Sequence, residues 1–286
     1  MLKEPKPRNI VVSTVGSQSL HRNWVSEGNY DTMLIYYGNE HGYEGQSTYY
    51  HEQQGPKYHL LKAALKDSEL LRNYDYFWFP DDDIFIQPEQ VEKLFRYMQT
   101  FKLHLAQPAI VGYYSLTVTL PQYDSRLRFT NFVEIMCPCF SKMALKTCID
   151  TFDENKTGWS YDALWNELLD HPRRSIAIID DVIAVHTRPV FGGELYQNCD
   201  MAQNDAMAEG KQLYNKYSLA WRRNNDLQYG TPHISHSYAT VVYDVVPKSN
   251  EEETPKPERI WPPMEFWQHS VDQLKAGKST YSIAKR

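Results

Sequence analysis

Cysteine is scarce in this chain, with four residues among 286. Cys137, Cys139, Cys148 and Cys199 contain no Cys-x-x-Cys spacing, which argues against a structural zinc site. Cys137-Pro-Cys139 is the nearest approach to a redox pair, and the expectation is buried thiols in a reducing, cytoplasmic setting. No apolar run approaches the roughly 20 residues that a membrane helix needs. The opening residues, Met1 to Asn9, lack the apolar stretch of a signal peptide, so neither a leader nor an anchor is expected. Positive charge is not in excess: 30 Lys and Arg stand against 36 Asp and Glu, a net charge of -6. That balance disfavours a general nucleic-acid binder, which needs a basic footprint. It leaves open a phosphate ligand held through a metal. The Gly-x-Gly-x-x-Gly fingerprint is also missing from the first strand-loop, Val15-Gly16-Ser17-Gln18-Ser19-Leu20, which weakens a dinucleotide oxidoreductase.

What is present suits a large globular domain. Hydrophobic residues make up 42% and charged residues 23%, and aromatics reach 14% with 21 Tyr and 7 Trp. Such rings serve a core or stack on sugars and bases. Asn9 to Gly16 and Thr32 to Gly38 read as buried strands that stop at glycine. Lys57 to Leu71 carries apolar residues at helical spacing, and Tyr74 to Phe79 is an aromatic strand closed by Pro80. Pro88 to Met98 opens with proline and an early acid, the chemistry of a helix start. Strand-like and helix-like segments alternate up to Val185, which predicts an α/β fold with a mostly parallel sheet flanked by helices. A helix over Ala206 to Tyr217 and a strand over Tyr238 to Val246 follow. The division expected is a main domain over 1–246, then a Pro- and Glu-rich linker and C-terminal extension over 247–286.

The sharpest chemical feature is Asp81-Asp82-Asp83, directly after the Tyr74 to Phe79 strand. Ligands of open α/β sheets bind at the carboxyl ends of the strands. In an extended chain Asp81 and Asp83 share a face, and two carboxylates side by side favour a cation between them. Oxygen donors suit Mg²⁺ or Mn²⁺. The plain alternative is a solvated turn. A second apolar run, Ile176 to Val185, is interrupted by Asp180-Asp181, which predicts two short strands around a turn, and it ends in His186. A histidine there can complete a coordination sphere begun by distant aspartates, or serve as a structural residue. Thr157-Gly158-Trp159-Ser160-Tyr161-Asp162 leads into a helix that Ser160 can cap. Asp162 then falls in the first turn, where the helix dipole keeps it ionised, as a general base or as a simple cap.

Taken together, these pieces, with Phe129-Thr-Asn-Phe-Val-Glu134 and Cys137-Pro-Cys-Phe140 between them, resemble a known family. It is catalogued as a domain of unknown function and regarded as glycosyltransferase-like. More broadly the chain resembles the GT-A nucleotide-sugar transferases from about Arg8 to Glu194. The resemblance implies that Asp81 and Asp83 hold a divalent metal against a nucleotide diphosphate, with His186 as the later metal ligand. It places Ser13, Thr14 and Gly16 at the base and ribose, with Lys57 and Asp82 also on the nucleotide side. It makes Asp162 the base of an inverting reaction and puts Asn131, Glu134, Trp159 and Tyr161 near the acceptor. The implied activity is transfer of a sugar from a nucleotide-diphosphate donor, a UDP-sugar, to a hydroxyl of a glycan or other acceptor. The alternatives are a metal-dependent phosphohydrolase or pyrophosphatase, and a non-catalytic sugar-binding module on a transferase fold.

Overall fold

Asn9–Val15 (β1) is buried at every residue, as befits a strand with helices on both faces. Its alternating side chains feed two cores. Ile10 and Val12 join Leu61, Phe77, Phe140 and Trp165 on one face, while Val11 and Val15 join Trp24, Leu94, Phe95 and Met98 on the other. The computed structural model describes residues 8–25, 29–40, 42–113, 117–170, 173–189, 191–199, 201, 203–217 and 242–248. The expected segment 249–286 and the start of the expected 238–246 strand lie outside the described residues.

The strands that follow are β2 (Asp31–Tyr36), β3 (Tyr49–Glu52), β4 (Tyr76–Trp78), β5 (Ile84–Phe85), β6 (Leu105–Gly112), β7 (Ser125–Thr130), β8 (Cys139–Ser141), β9 (Ile176–His186) and β10 (Val242–Pro247). They form one sheet in the order β10-β7-β9-β6-β8-β4-β1-β2-β3, with β5 paired to β9. β4, β1, β2 and β3 run parallel, and β6 and β9 form a second parallel ladder. β8 is antiparallel to both β4 and β6, so β6 and β9 point the same way as β4. The carboxyl ends of β1, β2, β4 and β9 therefore share one edge. The α/β plan read from the sequence is present, with one large sheet between helices.

The helices are α1 (Lys57–Leu65), α2 (Glu69–Asn73), α3 (Pro88–Thr100), α4 (Lys142–Cys148), α5 (Tyr161–Leu168), α6 (Glu194–Asn198) and α7 (Gln203–Lys216). α3 starts at Pro88 with Glu89 in its first turn, as expected. The expected 57–71 helix is instead two helices. Asp67 takes a φ of 60°, and Ser68 caps α2 by accepting the Leu71 N–H at 3.3 Å. The two short strands expected over 176–186 are one strand. β9 bulges between Ile179 and Ile183, opposite Pro108 and Ala109, and Asp180 turns inward to meet Arg128. All four cysteines are free, and no helix among the described residues is long and apolar enough to cross a membrane.

Candidate active site

At the shared strand edge lies a pocket of about 1050 Å³, part of it open solvent. Thr14, Lys57, Asp81, Asp82, Asp83, Glu134, Trp159, Asp162 and His186 line it, all of them candidates from the sequence. Tyr37, Tyr58, Lys156, Thr157 and Tyr196 line it as well. Of these Tyr37 carried a sequence signal in its place at the carboxyl end of a predicted strand, and Thr157 in opening the segment that leads to Asp162.

Asp81, Asp83 and His186 each offer a ligand atom, and these atoms lie within 4.8 Å of one another. The antiparallel bridge of Ile84 to His186 brings Asp83 beside the ring, with Nε2 3.3 Å from Asp83 Oδ1. His186 Nδ1 donates to the Tyr113 carbonyl at 2.8 Å, which leaves Nε2 as the atom facing the acids. The backbone is shaped for this contact. Gly112 has a φ of 86°, and a Cβ there would stand 2.4 Å from the His186 carbonyl oxygen. Burial opposes charge on His186, but Asp83, with Asp81 and the Tyr113 carbonyl, outweighs it and lifts the ring pKa to about 9. Burial also opposes charge on Asp83, yet His186 and Arg188 prevail and hold its carboxyl below the usual value. Asp81 is pushed up by burial, against the pull of Lys57 and with the push of Asp83. Two carboxylates and an imidazole facing one another are a fitting donor set for a hard or borderline divalent cation.

Asp82 points elsewhere. Its Oδ2 accepts from the Gly16 N–H and the Tyr37 hydroxyl, both at 2.8 Å, and its Oδ1 lies 3.3 Å from Arg188. Burial and then Asp83 push its pKa up to about 6. Gly16 itself sits beside this knot rather than on the pocket wall, and a Cβ there would meet Glu194 Oε2 at 2.6 Å and Tyr37 at 2.7 Å. Ser13 is likewise withdrawn: it is buried and its hydroxyl donates to the Pro80 carbonyl at 2.8 Å.

Lys57 reaches the site but is already committed. Its ammonium donates to Asp81 Oδ1 at 2.6 Å, to Ile135 O at 2.9 Å and to Met136 O at 3.1 Å. An ammonium has three donors, so none is left for a nucleotide phosphate. Lys57 ties the acids to segment 134–136 instead, aided by the Asp81 N–H on Met136 O at 2.7 Å.

Asp162 also lines the pocket, in the first turn of α5, and its Oδ1 accepts from the Ala163 N–H at 2.8 Å. Ser160 does not cap the helix, because it adopts a left-handed φ of 74°. Trp159 lines the pocket and packs on Phe191, which packs in turn on Tyr196. Tyr161 does not reach the pocket. Its ring is fully buried against Tyr58 and Trp165, since the helix turns that position toward the core. Asn131 follows β7 and does not line the pocket either. Trp78 is a core residue whose indole N–H donates to the Cys137 carbonyl at 2.9 Å.

No family model and no curated protein sequence matches the chain. Among solved structures the chain is similar to TarS of S. aureus, with a TM-score of 0.45, 11% identity and coverage of 77% of this chain. It spans about half of that protein's length, 46%. Against TarS residues 1–349 the TM-score is 0.47 at 13% identity, covering 78% of this chain and 76% of that one. Against glucosyl-3-phosphoglycerate synthase from Mycobacterium tuberculosis, in complex with Mn²⁺, UDP and phosphoglyceric acid, it is 0.45 at 13% identity, covering 69% and 80%.

Proposed function

We propose that the chain is a metal-dependent glycosyltransferase that takes a sugar from a UDP-sugar to an acceptor hydroxyl with inversion. The observation that supports this most is the convergence of Asp81, Asp83 and His186 on the wall of a pocket at the carboxyl ends of parallel strands. These three residues would hold a divalent cation, which supplies charge neutralisation for a departing diphosphate. Thr14 and Tyr37, at the ends of β1 and β2, offer the nucleotide side of the pocket. Asp162 would take the proton of the acceptor hydroxyl as its oxygen bonds to the anomeric carbon and the bond to the diphosphate breaks. Trp159 offers an aromatic face for an acceptor ring, and Glu134 a carboxylate for its hydroxyls. The identity of the donor nucleotide rests on the family resemblance alone.

A phosphohydrolase with two metals needs a second cluster of donors. Among the described residues one group of three or more His, Cys, Asp or Glu is poised for metal. The test is a thermal-shift titration with UDP, with and without Mn²⁺. Wild-type protein is expected to gain stability from UDP only when Mn²⁺ is present, and Asp83→Asn to lose that dependence. Equal UDP binding in chelator would defeat the metal reading. Release of sugar phosphate rather than UDP from a UDP-sugar would favour pyrophosphate hydrolysis.

A further inference from the structure

The pocket wall that carries Trp159 and leads to Asp162 is the loop 155–160, and its conformation is unusual. Gly158 has a φ of 77° and Ser160 a φ of 74°. For a serine the left-handed region is strained and has to be imposed by its surroundings. Part of that is local. Asn155 Oδ1 accepts from the Gly158 N–H at 2.7 Å, and Asn155 Nδ2 donates to Trp159 O at 2.9 Å. The rest comes from α7, some fifty residues on. Glu209 Oε2 accepts from the Thr157 N–H at 3.0 Å and the Thr157 hydroxyl at 2.8 Å. Its Oε1 accepts from the Lys156 N–H at 3.2 Å. One carboxylate thus grips two successive backbone N–H groups, a charge-assisted nest contact. The next residue of α7 is Gly210, where a Cβ would stand 2.8 Å from Ser160 Oγ, so the helix lies directly on the strained residue.

We propose that Glu209 is a positioning residue for this site: its carboxylate clamps the backbone of loop 155–160 and thereby sets where Trp159 and Asp162 stand. The geometry of the clamp is independent of the transferase reading, but its catalytic meaning rests on it. Glu209 does not line the pocket and acts through the loop. A misplacement of about 1 Å in such a group costs on the order of 100-fold in rate, so the clamp is worth having.

The test uses the full chain and two substitutions on α7. Glu209→Gln removes the charge and one accepting oxygen. Lys216→Met, on the same helix as Glu209, breaks the pairing of Lys216 with Glu154, just before the loop, and leaves the loop amides untouched. Amide hydrogen exchange at Lys156, Thr157 and Trp159 is expected to speed up at least tenfold in Glu209→Gln and to stay unchanged in Lys216→Met. With Mn²⁺ and a UDP-sugar hydrolysed by water, kcat is expected to fall at least tenfold in Glu209→Gln, with the donor KM and UDP affinity unchanged. Lys216→Met should keep near wild-type kcat, which separates positioning from a general loss of helix docking. Thr157→Val removes the hydroxyl bond to Glu209 and also the acceptor of the Trp159 N–H, so it is read at Lys156 and Thr157 alone. Exchange there and kcat should change in the same direction, and it serves if Glu209→Gln does not fold. Unchanged exchange overturns the clamp. Faster exchange with unchanged kcat overturns the positioning role. A wild type inert toward every UDP-sugar defeats the transferase reading and the catalytic role together, and faster exchange in Glu209→Gln then shows that the clamp itself has not failed.

Discussion

Manganese affinity is expected to climb steeply with pH, because the cation and a proton compete for one atom. His186 Nδ1 is spent on the Tyr113 carbonyl, so Nε2 is the nitrogen left to face Asp83. Without metal that nitrogen carries a proton up to a pKa of about 9, since Asp83, Asp81 and the Tyr113 carbonyl together outweigh the burial that would discharge it. A coordinated cation must displace the proton. Below pH 9 each pH unit then tightens the apparent Kd about tenfold, or about 1.4 kcal/mol. Between pH 7 and 8.5 the expected gain is about 30-fold. The window lies above the value of about 6 for Asp82. Free Mn²⁺ counted by electron paramagnetic resonance at each pH gives Kd directly. His186→Gln should lower the slope by one decade per unit over the same window. The sign is opposite for the metal-free fold. A pKa raised above 6.5 stabilises fully below pH 6.5, and that contribution is lost as pH rises through about 9. The melting temperature should therefore fall with pH in chelator over the range in which Mn²⁺ binding strengthens. A wild-type Kd that is flat from pH 7 to 8.5, or a slope that survives in His186→Gln, refutes the assignment of Nε2.

Two more substitutions probe the same site. Gly112→Ala places a methyl group 2.4 Å from the His186 carbonyl in a backbone that favours glycine. It should weaken Mn²⁺ binding at least tenfold while circular dichroism stays native, and unchanged affinity would show that the β6 end can yield. Lys57→Met strips an ammonium from Asp81 and from the Ile135 and Met136 carbonyls. Asp81 is partly exposed, so the expected cost in urea unfolding is about 2–3 kcal/mol rather than the larger figure for a fully buried pair.

The parts of the site that were legible in the sequence are those fixed by strand ends. Asp81 and Asp83 were legible as acids just past the stop after β4, but the chain does not stay extended there. It turns over Asp82 and Asp83, with the Ile84 N–H on the Asp81 carbonyl at 3.2 Å, so a turn and not the strand period brings the two carboxylates together. His186 needs only the end of an apolar run. Fold class was legible for the same reason, because alternation of strand and helix is a local pattern. The orientation of Asp82 was not, since it depends on the Gly16 amide and the Tyr37 hydroxyl, which come from two other strands. Lys57 looked available to a phosphate because nothing in its own segment announces that two carbonyls from 135 and 136 converge on it. Tyr161 and Asp162 are adjacent letters on one helix, and only packing decides that the first faces Trp165 and the second faces the pocket.

The interrupted run Ile176 to His186 shows why such failures cluster at polar insertions. Two aspartates in an apolar strand read as a break, because a buried carboxylate without a partner is prohibitively costly. The partner is Arg128 on β7, whose guanidinium meets Asp180 at 2.8 and 2.9 Å and donates to the carbonyls of Val118 and Leu120 at 2.8 Å each. With that charge satisfied the strand bulges instead of ending, and the bulge shifts the register by which β9 continues to His186. A structural ion pair that no local pattern displays thus helps set where the expected metal ligand stands.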